Sequence, residues 1–356
     1  MVRLYGQDFS RSEIQARMGG LDQIAGVRRI RLQDGPEDNV SAVEVRTGGG
    51  LSYTVLPSRA MDISAAECDG IPIAWRTGVG DMHPAYVYKT GGFNLGWFGG
   101  LLTTCGLDNI GTPGEDELGT FAQHGNLTGV AARNVSYGAR WEGERYLLWV
   151  EGESRQREIW EANAYDVVVR RRIESELGGR TIRITDTFEN MGRTPAPLLV
   201  LYHINAGFPL VASDSEIISR SRAVISARGG DAHDPSAARI ADPMPDLHSE
   251  VHMHELVPDA DGMGRGAIVN ERLGIGLALR FPIAELPYLN QWKSLVAKRY
   301  VVAIEPINSR GGNRTRQRER GTLPFLAPDE IRTFHVDISV LRGAEEIAAA
   351  RAEMVV

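Results

Sequence analysis

Apolar and polar residues alternate along much of the chain, and a period of two is typical of β-strands with one buried face. Residues 43–45 and 51–55 alternate on either side of Gly48-Gly49-Gly50. Residues 167–173 and 182–188 do the same around Gly178-Gly179. Because glycine allows the backbone to turn tightly, both pairs of runs predict antiparallel hairpins.

Further runs with the same period extend this pattern over most of the sequence. Additional strands are predicted at residues 146–152, 198–205, 275–281, 300–305 and 333–340. The total favours an all-β protein built as a large, mostly antiparallel sandwich. We predict one real helix, at about residues 343–355, where a run of alanines favours helical geometry. No linker, repeat or change of composition divides the chain, so residues 1–356 are predicted to form a single domain.

Two long segments, residues 81–123 and 229–261, lack this alternation and are predicted to be irregular. Loops of this length in a compact domain are usually functional or disordered. The first segment combines glycines with Phe93, Trp97 and Phe98, a composition that suits a platform for a ring-shaped ligand. It is therefore the better candidate for part of a binding site.

Charge and cysteine content exclude several classes of function. Asp and Glu number 46 against 39 Lys and Arg, and the net charge of -7 argues against nucleic acid or anionic lipid as a main partner. The two cysteines, Cys68 and Cys105, show no metal-binding or disulfide spacing. No run approaches the ~20 apolar residues of a membrane span, and the start lacks the apolar run of a signal peptide. We therefore expect a cytoplasmic protein.

His203 is the first candidate for chemistry, because it lies near the end of an apolar strand. The period of two places His203 and Asn205 on one face of the strand with Leu199 and Leu201. A histidine there faces either a cavity or a satisfied position in the core. The strand pattern does not distinguish these two interpretations.

Glu305 ends the apolar run 300–305 and is the second candidate. An ionised carboxylate in such surroundings needs a partner, or its pKa rises. A carboxyl group that titrates near neutral pH is suited to general-base catalysis. A structural ion pair with Lys293, Lys298 or Arg299 is the alternative interpretation.

The other histidines give weaker signals. His124 precedes a glycine, and an ordinary turn histidine is the favoured interpretation on local evidence. His248, His252 and His254 have a spacing that would suit a divalent metal and hence a metal-dependent isomerase or lyase. Because nearby prolines disfavour a helical face, we interpret them as solvated loop histidines and predict no metal site. His335 alternates with apolar residues and is predicted to lie on the surface.

One basic run contains five arginines between residues 310 and 320. It has no interleaved aromatic residues of the kind that stack on single-stranded nucleic acid. A solvated loop is the favoured interpretation, and capture of an anionic group is the alternative. The sequence lacks a Walker loop, a strand-linked Gly-x-Gly-x-x-Gly and a Gly-x-Ser-x-Gly elbow, so nucleotide cofactors and serine hydrolysis lose support.

Several segments together resemble the aldose 1-epimerase-like proteins of the galactose mutarotase superfamily, specifically the DUF4432 family. The segments that carry the resemblance are Leu56-Pro57-Ser58-Arg59-Ala60-Met61-Asp62-Ile63, Gly99-Gly100-Leu101-Leu102-Thr103-Thr104-Cys105-Gly106-Leu107, Gln123-His124-Gly125, Tyr202-His203-Ile204-Asn205 and Ile304-Glu305-Pro306-Ile307-Asn308. They occur in the family's order over nearly the whole chain. The resemblance implies a β-supersandwich with a sugar site on the concave face of its larger sheet.

The same resemblance implies roles for individual residues. In mutarotases a glutamate takes the proton of the anomeric hydroxyl while a histidine protonates the ring oxygen, which makes Glu305 the base and His203 the acid. His124 is similar to the histidine that steadies charge near the ring oxygen, and Arg59 to the arginine that holds sugar hydroxyls. Asn205 and Asn308 are expected to contact the substrate as well. The chemistry needs neither a metal nor an organic cofactor.

The sequence departs from typical galactose mutarotases at Leu289-Asn290-Gln291-Trp292-Lys293, where an aspartate that binds sugar hydroxyls is expected. Gln291 or Lys293 is predicted to replace it. Lys293 would otherwise recognise a carboxylate, sulfonate or phosphate on the sugar, or neutralise Glu305. The preference for galactose is therefore not carried over.

These observations lead to one main hypothesis about function and its alternatives. We expect a cofactor-independent carbohydrate mutarotase that acts on a small-molecule sugar, as a monomer or homodimer. The alternatives are a non-catalytic carbohydrate-binding module and a related epimerase or isomerase that acts on a modified or acidic sugar. Retention of both Glu305 and His203 disfavours a pure binding module.

Overall fold

The protein is described from a computed structural model that covers residues 1–87, 93–157, 165–229, 231–232, 234–246 and 249–356. Strands dominate this part of the chain. The first strands are β1 (Val2–Leu4), β2 (Gln7–Phe9), β3 (Gly26–Arg31), β4 (Ser41–Arg46), β5 (Leu51–Leu56), β6 (Asp62–Cys68), β7 (Ile71–Pro72), β8 (Leu102–Leu107), β9 (Gly114–Asp116), β10 (Gly119–Phe121), β11 (Arg133–Glu142) and β12 (Arg145–Arg157). The remaining strands are β13 (Asp166–Glu176), β14 (Thr181–Asn190), β15 (Ala196–Pro197), β16 (Leu199–Gly207), β17 (Ser215–Ser219), β18 (Ser221–Ser226), β19 (Ser249–Leu256), β20 (Met263–Asn270), β21 (Ile275–Pro282), β22 (Tyr288–Val296), β23 (Arg299–Ile307), β24 (Phe325–Leu326) and β25 (Ile331–Arg342).

Helices are few and mostly short. The α-helices are α1 (Arg11–Gln15), α2 (Pro84–Val87), α3 (Phe93–Gly96), α4 (Arg314–Glu319) and α5 (Gly343–Met354). The last one matches the helix predicted at the end of the chain. No helix within the described residues has the length and apolar character that crossing a membrane requires.

Two large antiparallel sheets form the body of the protein. The larger sheet has the strand order β18-β19-β22-β23-β16-β8-β6-β5-β4-β3, with β7 paired to β6. The smaller sheet has the order β11-β12-β13-β14-β25-β21-β20-β17. The predicted all-β sandwich is therefore confirmed, and so are both predicted hairpins, which are β4 with β5 and β13 with β14.

The main apolar core lies between the two sheets. Its cluster of buried side chains joins Val200 and Ile204 of the larger sheet to Leu148 and Ile184 of the smaller one. This cluster extends from Val2 to Val340, and such continuity supports the single-domain interpretation, which stays a prediction.

Strand alternation gives the larger sheet a second, outer face. On β16, Val200 and Ile204 belong to the core between the sheets, whereas Leu199 and Leu201 belong to a separate cluster with Phe93. We call the side of the larger sheet that carries Leu199 and Leu201 the outer face. Because side chains alternate along a strand, His203 lies on this outer face as well.

Both segments predicted to be irregular contain strands of the larger sheet. Strand β8 lies within residues 81–123 and is buried along its whole length, so it shows no polar alternation. A fully buried strand gives a continuous apolar or neutral run that periodicity does not reveal. Strand β19 lies within residues 229–261 and places buried His252 and His254 on one face, which corrects the prediction of solvated loop histidines.

Candidate active site

A row of polar side chains crosses the middle of the larger sheet on its outer face. Thr103 of β8 pairs with His203 of β16, and Glu305 of β23 pairs with Asn290 of β22. Between these pairs, Leu201 is aligned with Ile307 and Ile204 with Ile304, so His203 stands opposite Glu305. Four neighbouring strands therefore bring an imidazole, a carboxyl group, a hydroxyl group and an amide together.

His203 and Glu305 are in direct contact. His203 Nε2 lies 3.1 Å from Glu305 Oε1, and the two side chains are only 4% and 6% exposed. In the sequence, His203 and Glu305 each lie near the end of an apolar run, and the pairing of β16 with β23 brings the two side chains together. The described residues show no ion pair of Glu305 with its alternative partners: Lys293 binds Glu250, the Arg299 guanidinium donates to Ser294, and Lys298 lies in the turn between β22 and β23.

Burial governs the protonation of this pair. It raises the pKa of Glu305 from its ordinary value of 4.5 to about 8. Burial, together with the nearby His124 ring, lowers the pKa of His203 well below 6.5. Both shifts favour uncharged groups, because a low-dielectric environment penalises the ionised forms. At neutral pH Glu305 is therefore protonated and His203 is neutral, and we call the carboxyl proton, which Glu305 can donate to Nε2 of His203 across this contact, the shared proton.

His124 lies beside this pair. Its ring centroid is 5.5 Å from that of His203 and 4.7 Å from that of Phe93. Its Nδ1 accepts a hydrogen bond from the Gly111 backbone N–H at 3.4 Å. Burial lowers the pKa of His124 to about 4, so the ring is neutral at physiological pH. With Nδ1 acting as an acceptor, the proton of the neutral ring resides on Nε2.

Aromatic rings enclose the pair. The Trp97 ring centroid lies 5.0 Å from that of His203 and 5.1 Å from that of Phe93, and the Trp292 centroid lies 5.5 Å from that of His203. Thr103 accepts a hydrogen bond from Trp97 Nε1 at 3.0 Å and thereby ties this wall to the sheet. Of the three aromatic residues that the sequence suggests for a platform, Phe93 and Trp97 belong to this wall, whereas Phe98 is fully buried beneath Arg59.

Asn205 is fully buried two residues beyond His203 on the same strand face. Its amide group donates to the backbone oxygens of Gly100 at 3.0 Å and of His203 at 2.9 Å. Both amide hydrogens are thereby used. Its Oδ1 and the Nδ1 of His203 are buried without a hydrogen-bond partner in the described part of the chain.

Arg59 is placed differently from what a direct sugar contact requires. The side chain is fully buried, and its guanidinium donates to the backbone oxygens of Thr128, Met82 and Gly96 at 2.6 to 3.1 Å. These oxygens belong to three segments that are distant in sequence. The contacts are those of a residue that fixes the backbone around the site.

Gln291 and Lys293 lie on the face of β22 opposite to Asn290 and Trp292, because side chains alternate along the strand. Gln291 donates to the Ala237 oxygen at 2.8 Å, and the Lys293 ammonium donates to the Ser236 oxygen at 2.9 Å. The structure therefore does not bring Gln291 and Lys293 together with His203 and Glu305. Both side chains instead fasten the segment around residue 236 to the sheet.

Asn308 follows β23 and binds the start of β16 at both ends of its amide. It accepts from the Val200 N–H at 2.9 Å and donates to the Leu198 oxygen at 2.8 Å. Both bonds hold the strand of His203 next to the strand of Glu305. This is the geometry of a positioning residue.

Two residues of the outer face, Asn290 and Trp292, are absent from the site residues that the sequence predicts. The signal that identifies them is the same alternation: Asn290 pairs with Glu305 and Trp292 with Ala303, so both share the face of Glu305. If residues 288–296 are treated as a strand, Asn290 and Trp292 rather than Gln291 and Lys293 fall on the face of the site.

No cluster of three or more His, Cys, Asp or Glu side chains that could hold a metal ion occurs among the described residues. Of the histidines considered for a metal, His248 lies outside the described residues. His254 is near Ser219 Oγ at 2.8 Å and Gln291 Oε1 at 3.2 Å, which are partners of a structural histidine. His335 is exposed, as expected, and contacts Glu285 at 2.9 Å.

Solved structures define the class of fold to which this architecture belongs. One of them is a Klebsiella pneumoniae protein that carries the provisional name aldose 1-epimerase. It superposes with a TM-score of 0.84 at 20% identity, over 92% of this chain and 86% of that chain. The galactose 1-epimerase of Lactobacillus acidophilus matches with a TM-score of 0.55 at 12% identity, over 89% and 99% of the two chains. A galactose mutarotase-like protein of Clostridium acetobutylicum gives a TM-score of 0.58 at 12% identity, over 90% and 99%. The fold is therefore that of the galactose mutarotase-like proteins.

Within this class, residues 37–340 match the model of the DUF4432 family, described as a domain of unknown function, and the chain belongs to that family. No curated protein is similar enough in sequence to count as a match.

Proposed function

We propose that the protein is a carbohydrate mutarotase that interconverts the anomers of a sugar by opening and closing its ring. The observation that carries the proposal is the buried contact of 3.1 Å between His203 Nε2 and Glu305 Oε1. A proton donor and a proton acceptor so close together can serve the two oxygens of one hemiacetal carbon. The names of the structural relatives agree with this chemistry.

The shared proton accounts for both halves of the reaction. Moving it from Glu305 to Nε2 of His203 gives a carboxylate and an imidazolium. The carboxylate then takes the proton of the anomeric hydroxyl, the imidazolium gives its proton to the ring oxygen, and the bond between the anomeric carbon and the ring oxygen breaks. After rotation of the open-chain aldehyde, the reverse transfers close the ring as the other anomer. The pair begins and ends with the same number of protons, so no further acid or base is needed.

The surrounding residues supply orientation and a dry environment. His124 Nε2–H is available to donate to the ring oxygen as negative charge develops there, because Nδ1 already accepts from Gly111. Trp97 and Trp292 lie next to His203, where an aromatic ring can pack against the apolar side of a sugar. Asn290, opposite Glu305, takes the place of Gln291 and Lys293 as the polar substrate contact in this proposal.

The substitution Glu305→Gln tests the proposal, since it removes the base but keeps the shape. We expect anomer exchange, measured by saturation-transfer NMR over a panel of sugars, to fall by about a hundredfold to ten-thousandfold. Glu285→Gln is the matched control, because Glu285 also contacts a histidine, His335, but at an exposed position. A Glu305→Gln protein that exchanges anomers as fast as the wild type would refute the assignment.

A further inference from the structure

The basic run between residues 310 and 320 divides into two groups in the structure. Arg314 and Arg318 both bind the Asp116 carboxylate, at 2.6 and 2.9 Å. Arg314 is also buried with its guanidinium 3.9 Å from the Phe121 ring centroid. These two arginines are structural, which corrects the view of the whole run as a solvated loop. Arg310 makes no ion pair within the described ranges of the chain.

Arg310 lies at the rim of the site. It is exposed, and its guanidinium carbon is 5.9 Å from the ring centroid of Tyr288. Tyr288 is two residues before Asn290 on β22, so the two side chains share the outer face and lie about 7 Å apart. Asn290 in turn pairs with Glu305.

The loop that carries Arg310 covers part of the polar row. A side chain added at Gly311 would meet Met253 Sδ at 3.8 Å and Asn290 Nδ2 at 4.0 Å. Met253 pairs with Asn290 on the next strand and belongs to the same row. The loop therefore borders the site from the side of β22, and it places the Arg310 guanidinium at this border.

The described side chains near Arg310 on the outer face leave its charge uncompensated. The neighbours on β22 are Tyr288, Asn290 and Trp292, none of which is acidic. Glu255 of β19 follows His254, which pairs with Leu289, and its carboxylate is already bound by Arg222 at 2.8 Å. Burial raises the pKa of Glu305 to about 8, which keeps its carboxyl group protonated at neutral pH. A guanidinium with free donors is well suited to a carboxylate, phosphate or sulfonate. Building on the proposed function, we propose that the substrate is an anionic sugar whose charged group, remote from the anomeric carbon, is bound by Arg310.

The experiment compares three matched sets of sugars: neutral aldoses, the corresponding uronic acids, and the corresponding phosphate or sulfonate derivatives. Anomer exchange is measured for the wild type, Arg310→Gln and the control Arg320→Gln. Arg320 is exposed, belongs to the same basic run and lies beyond α4. We expect Arg310→Gln to raise the KM for the preferred anionic sugar about tenfold or more, with a much smaller effect on the neutral sugar. The control should leave both unchanged.

Every outcome either supports or overturns the role of the charged group. A neutral sugar that is turned over as efficiently as every anionic one, or an equal effect of Arg310→Gln on both classes, overturns the inference while leaving the mutarotase proposal intact. If the wild type exchanges no sugar, the mutarotase proposal fails, and calorimetric binding of the same sugars decides the inference. Binding of an anionic sugar that Arg310→Gln weakens supports it, and binding that does not depend on charge overturns it.

Discussion

At the scale of single residues, the most informative groups are the two buried atoms without partners beside the acid–base pair. Both hydrogens of the Asn205 amide are engaged, so the orientation of the amide is fixed and its Oδ1 is the free end within the described residues. The Asn205 side chain favours the protonated form of the His203 ring, although burial outweighs this effect on the pKa. Because Nε2 of neutral His203 accepts the carboxyl proton of Glu305, the ring's own proton resides on Nδ1, and we infer that the dipole of the Asn205 amide stabilises this tautomer.

Asn205→Asp tests this positioning role, because a carboxylate of the same shape would favour the imidazolium. We expect the pKa of His203 to rise, and the acidic limb of the pH–rate profile to move upward by about one pH unit or more. The measurement is kcat/KM for anomer exchange across pH, next to the wild type. If Asn205 only contacts the sugar, the substitution changes KM but does not shift the acidic limb of the pH–rate profile.

The wild-type pH profile follows from the shared proton. Above pH about 8 the pair loses that proton, because burial has raised the pKa of Glu305 to about 8. The pair then lacks an acid, and we expect kcat/KM to fall about tenfold per pH unit. Towards acid the pair gains a second proton on His203, but only well below the ordinary histidine range, since burial lowers that pKa. A rate that still rises between about pH 8 and pH 9 would contradict the shared-proton mechanism.

At the scale of elements, the sequence predicts strands that alternate or that form a long apolar run, such as β16, and it misses a buried strand whose run is interrupted by threonines and a glycine, such as β8. The hairpin of β13 and β14 alternates, so the pattern predicts it together with its turn, whereas β8 is buried throughout and falls in a segment predicted to be irregular. His203 and Glu305 are recognisable in the sequence because each ends an apolar strand. Their contact depends on the register between β16 and β23, which no local pattern encodes.

Arg59 provides a test of how the segments around the site are held. Arg59→Met should lower the free energy of unfolding by about 3 kcal/mol, since three buried carbonyl groups lose a charged donor. Chemical denaturation measures this, with exposed Arg29→Met as the control. A fully stable Arg59→Met protein with a raised KM would instead support the direct sugar contact that the family resemblance implied.

At the scale of the whole molecule, the site occupies the outer face of a sheet whose other face forms the core. The neighbouring strands β16 and β23 carry core residues such as Ile204 and Ile304 between the residues of the site. The acid–base pair is therefore carried by two strands that the core packs in place. The same arrangement buries two titratable groups in uncharged forms, and this affects the stability of the protein.

Glu305 and His203 change the pH dependence of the free energy of unfolding in opposite directions. Glu305 has a folded-state pKa of about 8 against an ordinary value of 4.5, so between these values the folded protein binds more protons than the unfolded chain. Its contribution to stability therefore falls as the pH rises through this range. For His203, whose pKa is lowered, stability falls as the pH drops below 6.5.

Replacing Glu305 by Gln removes the contribution of Glu305 to the pH dependence of stability and keeps that of His203. We expect the free energy of unfolding of Glu305→Gln, relative to the wild type, to increase by on the order of 2 kcal/mol between about pH 5 and pH 9, since one pKa unit corresponds to about 1.4 kcal/mol. Urea denaturation at both pH values measures the difference, and Glu285→Gln should show little of it because Glu285 is not buried with its histidine. A difference that is the same at both pH values would mean that Glu305 is ionised in the folded protein at neutral pH. In that case the base is already charged in the resting enzyme, and the shared proton belongs to His203.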